Sequence, residues 1–218
     1  MSSTKTIISS PFFSVIITTY NRAQLLKRAL DSLINQTEQD WEAIIVDDGS
    51  TDETQTQILS YLNEYPQIKY FKKNHSGQVH TKNEGVRLST GKFVSFLDSD
   101  DEYTVHHLES RKHILVQNPT LKFLHGGVKI IGIKYVPDRF DHSKNISLDD
   151  CVIGGTFFID RSVLLLLGAF SDVVLGEDAD LYDRAVGAGI SILKTNSPTY
   201  IYHHETEDSI TNNLRLNS

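Results

Sequence analysis

The sequence has few of the residues that stabilise secreted or membrane-spanning proteins. Cys151 is the single cysteine among 218 residues, which excludes an intramolecular disulfide and a zinc site built from several cysteines. We therefore expect a cytosolic protein in which this cysteine packs against other side chains. The aliphatic run at residues 163–167 is too short to cross a bilayer. Because the first ten residues are polar, we expect no secretory signal peptide.

Positive charge is also scarce. The chain has 21 Lys and Arg against 28 Asp and Glu, a formal net charge of -7. Binding to nucleic acid depends on clustered excess Lys and Arg, so we expect no nucleic-acid partner. With 39% hydrophobic residues, the chain can form one substantial core, and we predict a single domain over residues 1–218. The oligomeric state and attachment to a membrane face stay open.

The first half of the chain alternates between two hydrophobic periods. Short, nearly continuous apolar runs predict strands at residues 14–19, 41–46, 68–71 and 92–97. Helical spacing predicts helices at residues 22–35, after 51–52, and at 77–89. Strands that alternate with helices indicate right-handed crossovers. We therefore predict a Rossmann-like α/β fold, with a mainly parallel central sheet covered by helices on both faces.

The second half is less regular. We predict helices at residues 104–117, from 161, and at 177–188, and strands within 121–133, 151–159, 190–194 and 199–202. Residues 134–149 are polar and weakly periodic, which favours a surface loop. This half therefore predicts a smaller, mixed β region, followed by a flexible tail at residues 205–218.

An acidic run ends the fourth predicted strand: Asp98, Ser99, Asp100 and Asp101. In a parallel sheet the carboxyl ends of all strands lie at one edge, where open α/β folds bind ligands. Thr18 to Tyr20 and Asp47 to Ser50 end two other strands, so all three groups should converge. Independent helix-capping turns are the alternative for each group, but they do not explain acidic groups at two strand ends with an aromatic at a third.

These groups suit a nucleoside diphosphate and a hard divalent cation, which prefers carboxylates. Tyr20 can stack on a base, Asp48 can accept a hydrogen bond from a base imide, and Asp98 can bind ribose. A cation at Asp100 or Asp101 would neutralise the diphosphate. Further along the chain, a few residues have a functional and a plain interpretation: Lys82 as a phosphate ligand or a solvated lysine, Asp178 as a general base or a helix cap, and His204 as a metal ligand or a surface group.

Five segments in matching order resemble the inverting family 2 glycosyltransferases of the GT-A fold. They are SVIITTYNR, WEAIIVDDGSTDET, residues 74–85, GKFVSFLDSDD and GEDADLYDRAVGAG. The resemblance extends over about residues 13–211. It implies transfer of a sugar, with inversion, from a nucleotide-sugar donor to a hydroxyl on a glycan, lipid-linked or other acceptor. It also implies a donor-binding half at residues 13–101 and an acceptor-binding half at residues 102–204.

The resemblance also implies roles for individual positions. Thr18, Tyr20 and Asp48 match nucleoside-binding residues, and Asp178 matches the catalytic base. The family's DxD element matches Asp98, Ser99 and Asp100, which places Asp98 near the ribose and Asp100 or Asp101 at an Mg²⁺ or Mn²⁺ ion. Lys82 stands where many relatives have arginine, and His204 matches a metal or diphosphate contact in a segment two residues longer than usual.

We expect a UDP-sugar donor, since an aspartate that reads an imide suits uracil, although guanine and thymine also present such a group. We also expect a cytoplasmic enzyme, either peripheral at the inner membrane face or not attached to it. The Gln-x-x-Arg-Trp element of processive synthases does not occur. Two alternatives stay open from the residues: a metal-dependent phosphoryl-transfer or phosphatase domain, and a non-catalytic nucleotide-sugar binder.

Overall fold

The computed structural model describes residues 10–141, 143–173 and 175–205. Its strands, in chain order, are β1 (Phe13–Thr19), β2 (Trp41–Asp47), β3 (Ile68–Lys72), β4 (Phe93–Phe96), β5 (Glu102–Tyr103), β6 (Phe123–His125), β7 (Val128–Gly132), β8 (Tyr135–Pro137), β9 (Asn145–Ser147), β10 (Phe158–Asp160), β11 (Ile192–Lys194) and β12 (Tyr200–His204). The helices are α1 (Ala23–Ile34), α2 (Thr54–Glu64), α3 (Gln78–Leu88), α4 (His107–Gln117), α5 (Arg161–Leu166) and α6 (Glu177–Gly187), with 3₁₀ turns at Leu148–Asp150 and Gly154–Thr156.

A seven-stranded sheet organises the protein in the order β11-β6-β10-β4-β1-β2-β3. All neighbouring pairs are parallel except the two that involve β10, which is antiparallel to both neighbours. Side chains alternate between faces along each strand. Val15 and Ile17 pack in one hydrophobic cluster and Ile16 packs in the other. The sheet therefore has a core on both faces, and the predicted α/β fold is confirmed.

Two smaller sheets belong to the second half of the chain. Strands β5, β12 and β7 form one, in which β12 is antiparallel to β5 and parallel to β7. Strands β8 and β9 form an antiparallel hairpin. The structure thus contains the smaller mixed β region that the sequence predicted. No helix within the described ranges is long and apolar enough to span a membrane.

Two predicted segments are wrong in detail. Residues 134–149 do not form a plain surface loop, because they contain the β8–β9 hairpin and the start of a 3₁₀ turn. The strand predicted at 151–159 is shorter, at Phe158–Asp160, since local backbone hydrogen bonds to Ile153 and Gly154 close a 3₁₀ turn before it. Residues 206–218, most of the predicted tail, lie outside the described residues.

Candidate active site

A cavity of about 930 Å³ opens at the carboxyl edge of the parallel strands. The ends of β1, β2 and β4 border one side. The β8–β9 hairpin and the start of α6 border the other. The cavity brings together eight of the residues that the sequence nominated: Thr18, Tyr20, Asp48, Lys82, Asp98, Ser99, Asp100 and Asp178.

The Asp48 carboxylate is buried and held by fixed donors. Its Oδ1 accepts hydrogen bonds from the Ser76 backbone N–H at 2.9 Å and from Lys73 Nζ at 3.0 Å. Its Oδ2 accepts one from the Gly77 backbone N–H at 2.9 Å. Burial opposes the charge, but the hydrogen bonds from Lys73 and Gly77 hold the pKa of Asp48 below its ordinary value. Asp48 is therefore an oriented anion across the neutral pH range.

Tyr20 forms an aromatic platform at the cavity rim, where 43% of its surface is exposed. The His75 ring stacks on it, with centroids 4.4 Å apart and planes 28° apart. His75 Nδ1 also lies 2.8 Å from Asp48 Oδ2. The imidazole thus combines an aromatic stack on Tyr20 with a polar contact to Asp48, the two interactions predicted for a nucleobase. Thr18 lies beside them, half-buried on β1.

The acidic run after β4 is divided between the cavity and the interior. Asp98 and Asp100 line the cavity. Asp101 is fully buried, and its carboxylate accepts hydrogen bonds from the Tyr200 hydroxyl at 2.6 Å and the His203 backbone N–H at 2.8 Å. Its oxygens fasten β12 to the acidic run and do not face the cavity. Of the two residues predicted as metal ligands in this run, Asp100 lines the cavity and Asp101 does not.

Helix α1 holds Asp100 from the other side. The Arg22 guanidinium forms an ion pair with the Asp100 carboxylate, and Arg28 donates a hydrogen bond to the Asp100 backbone carbonyl. Arg22 also lines the cavity. A cation at Asp100 would therefore share this carboxylate with an arginine that the sequence reasoning did not nominate.

The histidine pair at the end of β12 is also divided. His204 is buried outside the cavity lining, with its Nδ1 2.6 Å from the Ile133 carbonyl oxygen and its ring stacked on Tyr202. His203 lines the cavity, with its Nε2 3.0 Å from Glu102 Oε1. The structure therefore does not place His204, the predicted metal ligand, with the other nominated residues, because its ring packs against the backbone that follows β7. The residue that faces the cavity is its neighbour.

Asp178 lies in the first turn of α6 and lines the cavity opposite the ends of β1, β2 and β4. Its Oδ2 accepts a hydrogen bond from the Gly154 backbone N–H at 2.8 Å. Its Oδ1 has no hydrogen-bond partner among the described residues. Burial raises the pKa of Asp178 to about 6, although Lys82 opposes the shift. One oxygen is thus anchored and the other is available to take a proton near neutral pH.

Glycine at position 154 is required by this contact. A Cβ there would lie 2.2 Å from Asp178 Oδ1. The sequence indicated a close approach at the Gly154-Gly155 pair, but not that its partner would be the candidate base. The sequence also drew attention to the Glu177-Asp178 pair at the start of a helix, but it did not predict that Glu177 contacts Lys82.

Lys82 points toward α6. Its Nζ lies 3.1 Å from Glu177 Oε1 and 3.6 Å from Asp178 Oδ1. The side chain is only 4% exposed, so the solvated-lysine interpretation is wrong. It lines the same cavity as Asp98 and Asp100, but its closest charged partners are the two carboxylates in the first turn of α6.

The carboxylates of Asp98 and Asp100 are chemically suited to a divalent cation. Mg²⁺ usually binds one or two carboxylates together with substrate phosphates and water. Among the described residues, no group of three or more His, Cys, Asp or Glu could hold a metal by itself. The residues present therefore fit an ion shared with a bound diphosphate, and not a cage built from protein ligands alone.

Known proteins with related sequences are glycosyltransferases. The chain is 29% identical over 191 residues to the Escherichia coli UDP-Glc:alpha-D-GlcNAc-diphosphoundecaprenol beta-1,3-glucosyltransferase WfgD, covering 84% of this chain and 70% of that protein. It is 40% identical over 94 residues to the Campylobacter jejuni GalNAc(5)-diNAcBac-PP-undecaprenol beta-1,3-glucosyltransferase, covering 42% and 30%. An uncharacterized glycosyltransferase of Rickettsia bellii is 33% identical over 114 residues, covering 52% of this chain and 16% of that one. The chain thus spans from about one sixth to about two thirds of the length of these relatives.

Solved structures show the same fold. Staphylococcus aureus TarS 1–349 in complex with UDP-GlcNAc has a TM-score of 0.74 at 22% identity, covering 89% of this chain and 59% of that one. The mannosyltransferase PcManGT from Pyrobaculum calidifontis, in complex with GDP-Man and Mn²⁺, has a TM-score of 0.72 at 19% identity, covering 96% and 61%. The family model "Glycosyl transferase family 2" matches residues 14–123, half of the chain. The chain therefore belongs to glycosyl transferase family 2.

Proposed function

We propose that the chain transfers a sugar from a UDP-sugar to an acceptor hydroxyl, with inversion at the anomeric carbon. The similarity to an E. coli enzyme named for UDP-Glc, and the fold shared with TarS bound to UDP-GlcNAc, support a UDP-sugar donor. The observation that carries the proposal is Asp178 Oδ1, which has no hydrogen-bond partner among the described residues and belongs to a side chain that lines the same cavity as Asp48, Asp98 and Asp100.

Asp178 acts as the general base in this proposal. Its Oδ2 is anchored by the Gly154 N–H, so Oδ1 keeps a fixed position from which to accept the proton of the acceptor hydroxyl. The deprotonated oxygen attacks the anomeric carbon on the face opposite the nucleotide, and the bond to the diphosphate breaks in the same step. No covalent enzyme intermediate is needed.

The donor's base binds where His75 lies. His75 stacks on Tyr20 and contacts Asp48, so a uracil in its place keeps the stack and donates its imide N–H to Asp48 Oδ2. The exposed His75 side chain can swing away, since 58% of its surface is open to solvent. Thr18 borders this base, and Asp98 and Ser99 extend from it toward the ribose and diphosphate.

Asp98 and Asp100 would hold a divalent ion with the diphosphate. Such an ion, when bound, neutralises the negative charge that develops on the departing UDP. Arg22 then exchanges part of its ion pair with Asp100 for the phosphate oxygens. Changing Asp100 to Ala should weaken UDP binding severalfold in Mn²⁺ and leave it unchanged in EDTA, measured by calorimetry. Equal affinity for both proteins in Mn²⁺ would contradict this assignment.

The acceptor side of the cavity is lined mainly by apolar residues of the hairpin and the segments after it, including Val136, Ile146, Val152 and Ile153. Two of the related enzymes have names with an undecaprenol-linked diphosphate acceptor. We extend this class to the present chain: a sugar carried on a lipid diphosphate. A lipid acceptor would place the chain at a membrane face, in peripheral contact.

The phosphatase and the non-catalytic binder, the two alternatives to a transferase, are not equally supported. The family match gives the phosphatase alternative no support. A non-catalytic nucleotide-sugar binder would have the same donor site, so only turnover separates it from the enzyme.

A screen of UDP-glucose, UDP-GlcNAc and GDP-mannose tests the proposal. We expect a UDP-sugar to raise the melting temperature in Mn²⁺ more than GDP-mannose does. With a GlcNAc-diphosphate lipid as acceptor, we expect a disaccharide product of inverted configuration. Binding of a UDP-sugar without transfer to any lipid-linked or free sugar would favour the binder, and release of phosphate from simple phosphoesters would favour the phosphatase.

A further inference from the structure

Lys82 links the donor-side helix α3 to the base-bearing turn of α6. Its Nζ lies 3.1 Å from Glu177 and 3.6 Å from Asp178, residues 95 and 96 positions further along the chain. At 4% exposure the ammonium is almost completely shielded from water. Shielding strengthens an ion pair and makes an uncompensated charge costly. The charge of Lys82 therefore depends on the two carboxylates, and each carboxylate depends on Lys82.

The surroundings fix the ammonium in place. Helix α3 packs so closely on the sheet that a Cβ at Gly85 would lie 2.4 Å from Ile16 Cγ2. Next to Lys82, the Asn83 side chain donates to the Phe170 carbonyl at 2.9 Å and accepts from the Phe170 N–H at 3.0 Å. The Phe170 ring lies under the ammonium, with Nζ 5.1 Å from its centroid. This arrangement leaves Lys82 little freedom to follow a ligand.

The charges around Asp178 show why it needs a cation. Glu177 on its own helix, Asp98 after β4 and the Tyr202 hydroxyl group of β12 all face it as anions or as acids. Lys82 is the cation that acts on it from α3. Burial lowers the pKa of Lys82, but Asp178 and Glu177 more than reverse this and hold it above its ordinary value. Lys82 is therefore charged at every pH at which the protein would work.

We propose that Lys82 is a positioning residue for Asp178, which it keeps ionised and oriented toward the acceptor, and not a ligand of the departing diphosphate. The inference rests on the proposed transferase function. It reassigns the side chain that the sequence nominated as a phosphate ligand. A compact ammonium can lie between two carboxylates of adjacent residues without the fork geometry that a diphosphate favours.

The test compares Lys82→Met and Lys82→Arg with the wild type, using UDP-glucose, Mn²⁺ and a GlcNAc-diphosphate lipid. Without the cation, the pKa of Asp178 rises, so the acid limb of the kcat/KM profile should move up by about one pH unit or more in Lys82→Met. Much of the lost activity should return at high pH. Lys82→Arg should keep the limb near its original position, and UDP affinity should change less than about threefold in both.

A change in UDP affinity without a shift of the pH profile would overturn the proposal. If Lys82→Met weakens UDP binding more than about tenfold while the acid limb stays in place, the ammonium acts on the diphosphate. A second variant covers a failure of Lys82→Met to fold. Glu177→Gln removes a negative charge beside Asp178, so that Asp178 becomes the only carboxylate of this pair that contacts Lys82. The acid limb of the kcat/KM profile should therefore move to lower pH, with UDP affinity unchanged. An unmoved limb would count against the proposal.

Failure of the proposed function looks different. In that case the wild-type protein itself shows no transfer, whereas failure of the Lys82 inference leaves an active wild type and variants with unshifted profiles.

Discussion

Asp48 and Asp178 are two carboxylates of one cavity whose surroundings shift their pKa values in opposite directions. Donors from Lys73, Ser76 and Gly77 surround Asp48, and its pKa is lowered. Asp178 accepts one backbone hydrogen bond, from Gly154, and burial raises its pKa to about 6. Pairs of acids with diverging pKa values mark a division of roles in active sites.

The difference separates recognition from chemistry. A carboxylate that several donors hold in a fixed orientation is suited to recognising the hydrogen-bond pattern of a base. A carboxylate with one oxygen anchored and one open is suited to exchanging a proton. The two acids also act oppositely on folding. Asp48 contributes stability that is lost as the pH falls through its lowered pKa, whereas Asp178 favours the native state at pH values low enough to protonate it and less so as the pH rises to about 6.

The largest effect should come from Asp178→Asn. The amide oxygen can still accept the Gly154 N–H, so the fold should persist, but the amide cannot take a proton. Transfer should fall by about 10²- to 10⁴-fold, the usual contribution of a general base. UDP affinity in Mn²⁺, measured by calorimetry, should stay close to wild type. Normal turnover in this variant would remove Asp178 from its role and end the contrast with Asp48.

Gly154→Ala should lower the rate of transfer by displacing Asp178, while the carboxylate itself is retained. The new methyl group would lie 2.2 Å from Asp178 Oδ1, so the carboxylate must shift away. A displacement of about 1 Å can cost roughly a hundredfold in rate, and UDP binding should be unaffected. Gly187→Ala is the matched control, since no atom lies within 4 Å of its added Cβ. Equal kcat for the two variants would show that Asp178 does not depend on the Gly154 contact.

Asp48→Asn should affect the other side of the comparison. Its amide group places N–H donors against the Ser76 and Gly77 N–H groups or loses their hydrogen bonds. Hydrogen bonds to charged groups contribute about 1.5 to 3 kcal/mol, so UDP affinity should fall by about tenfold or more. The melting temperature should drop as well, while the acid limb of kcat remains near that of the wild type. A displaced limb would mean that Asp48 also titrates in the reaction.

The pH profile gives the smallest effect of the series. A base whose pKa is about 6 is mostly ionised at pH 7 and mostly protonated at pH 5, so kcat/KM should fall roughly tenfold over this interval. UDP affinity should change little over the same range, because the pKa of Asp48 is lowered. Measuring both on one preparation compares the two acids directly. If UDP affinity falls with pH in parallel with kcat/KM, the acid limb reflects donor binding and not the general base.

The sequence predicted the donor side of the site more completely than the acceptor side. Tyr20, Asp48 and Asp98 follow strands that are buried on both faces, so their hydrophobic runs alone predict that these residues meet at one edge. The acceptor side depends on two strands of only three residues each and on a contact between residues 24 positions apart. Periodicity does not report such contacts, and it therefore predicted neither the β8–β9 hairpin nor the anchoring of Asp178 by Gly154.

It was harder still to predict which residue within a motif faces the cavity. Asp101 was nominated as part of the acidic run and His204 through the family resemblance, and each adjoins a residue that does line the cavity, Asp100 and His203. Which neighbour faces the cavity depends on the register of β12 against β7 and on the Tyr200 hydroxyl that binds Asp101. Neither is encoded locally. The direction of Lys82 likewise follows from the way α3 packs on β1, which no local pattern specifies.

The burial of Asp101 has a consequence for the order in which the chain can acquire its structure. Its two partners, Tyr200 and His203, lie 99 and 102 residues later in the sequence. During synthesis the parallel strands β1 to β4 emerge well before β12, so the acidic run must wait with a carboxylate exposed until the last strand arrives. Contacts of such sequence separation form late and slow folding. The donor-binding edge is therefore completed last, although its residues are translated first.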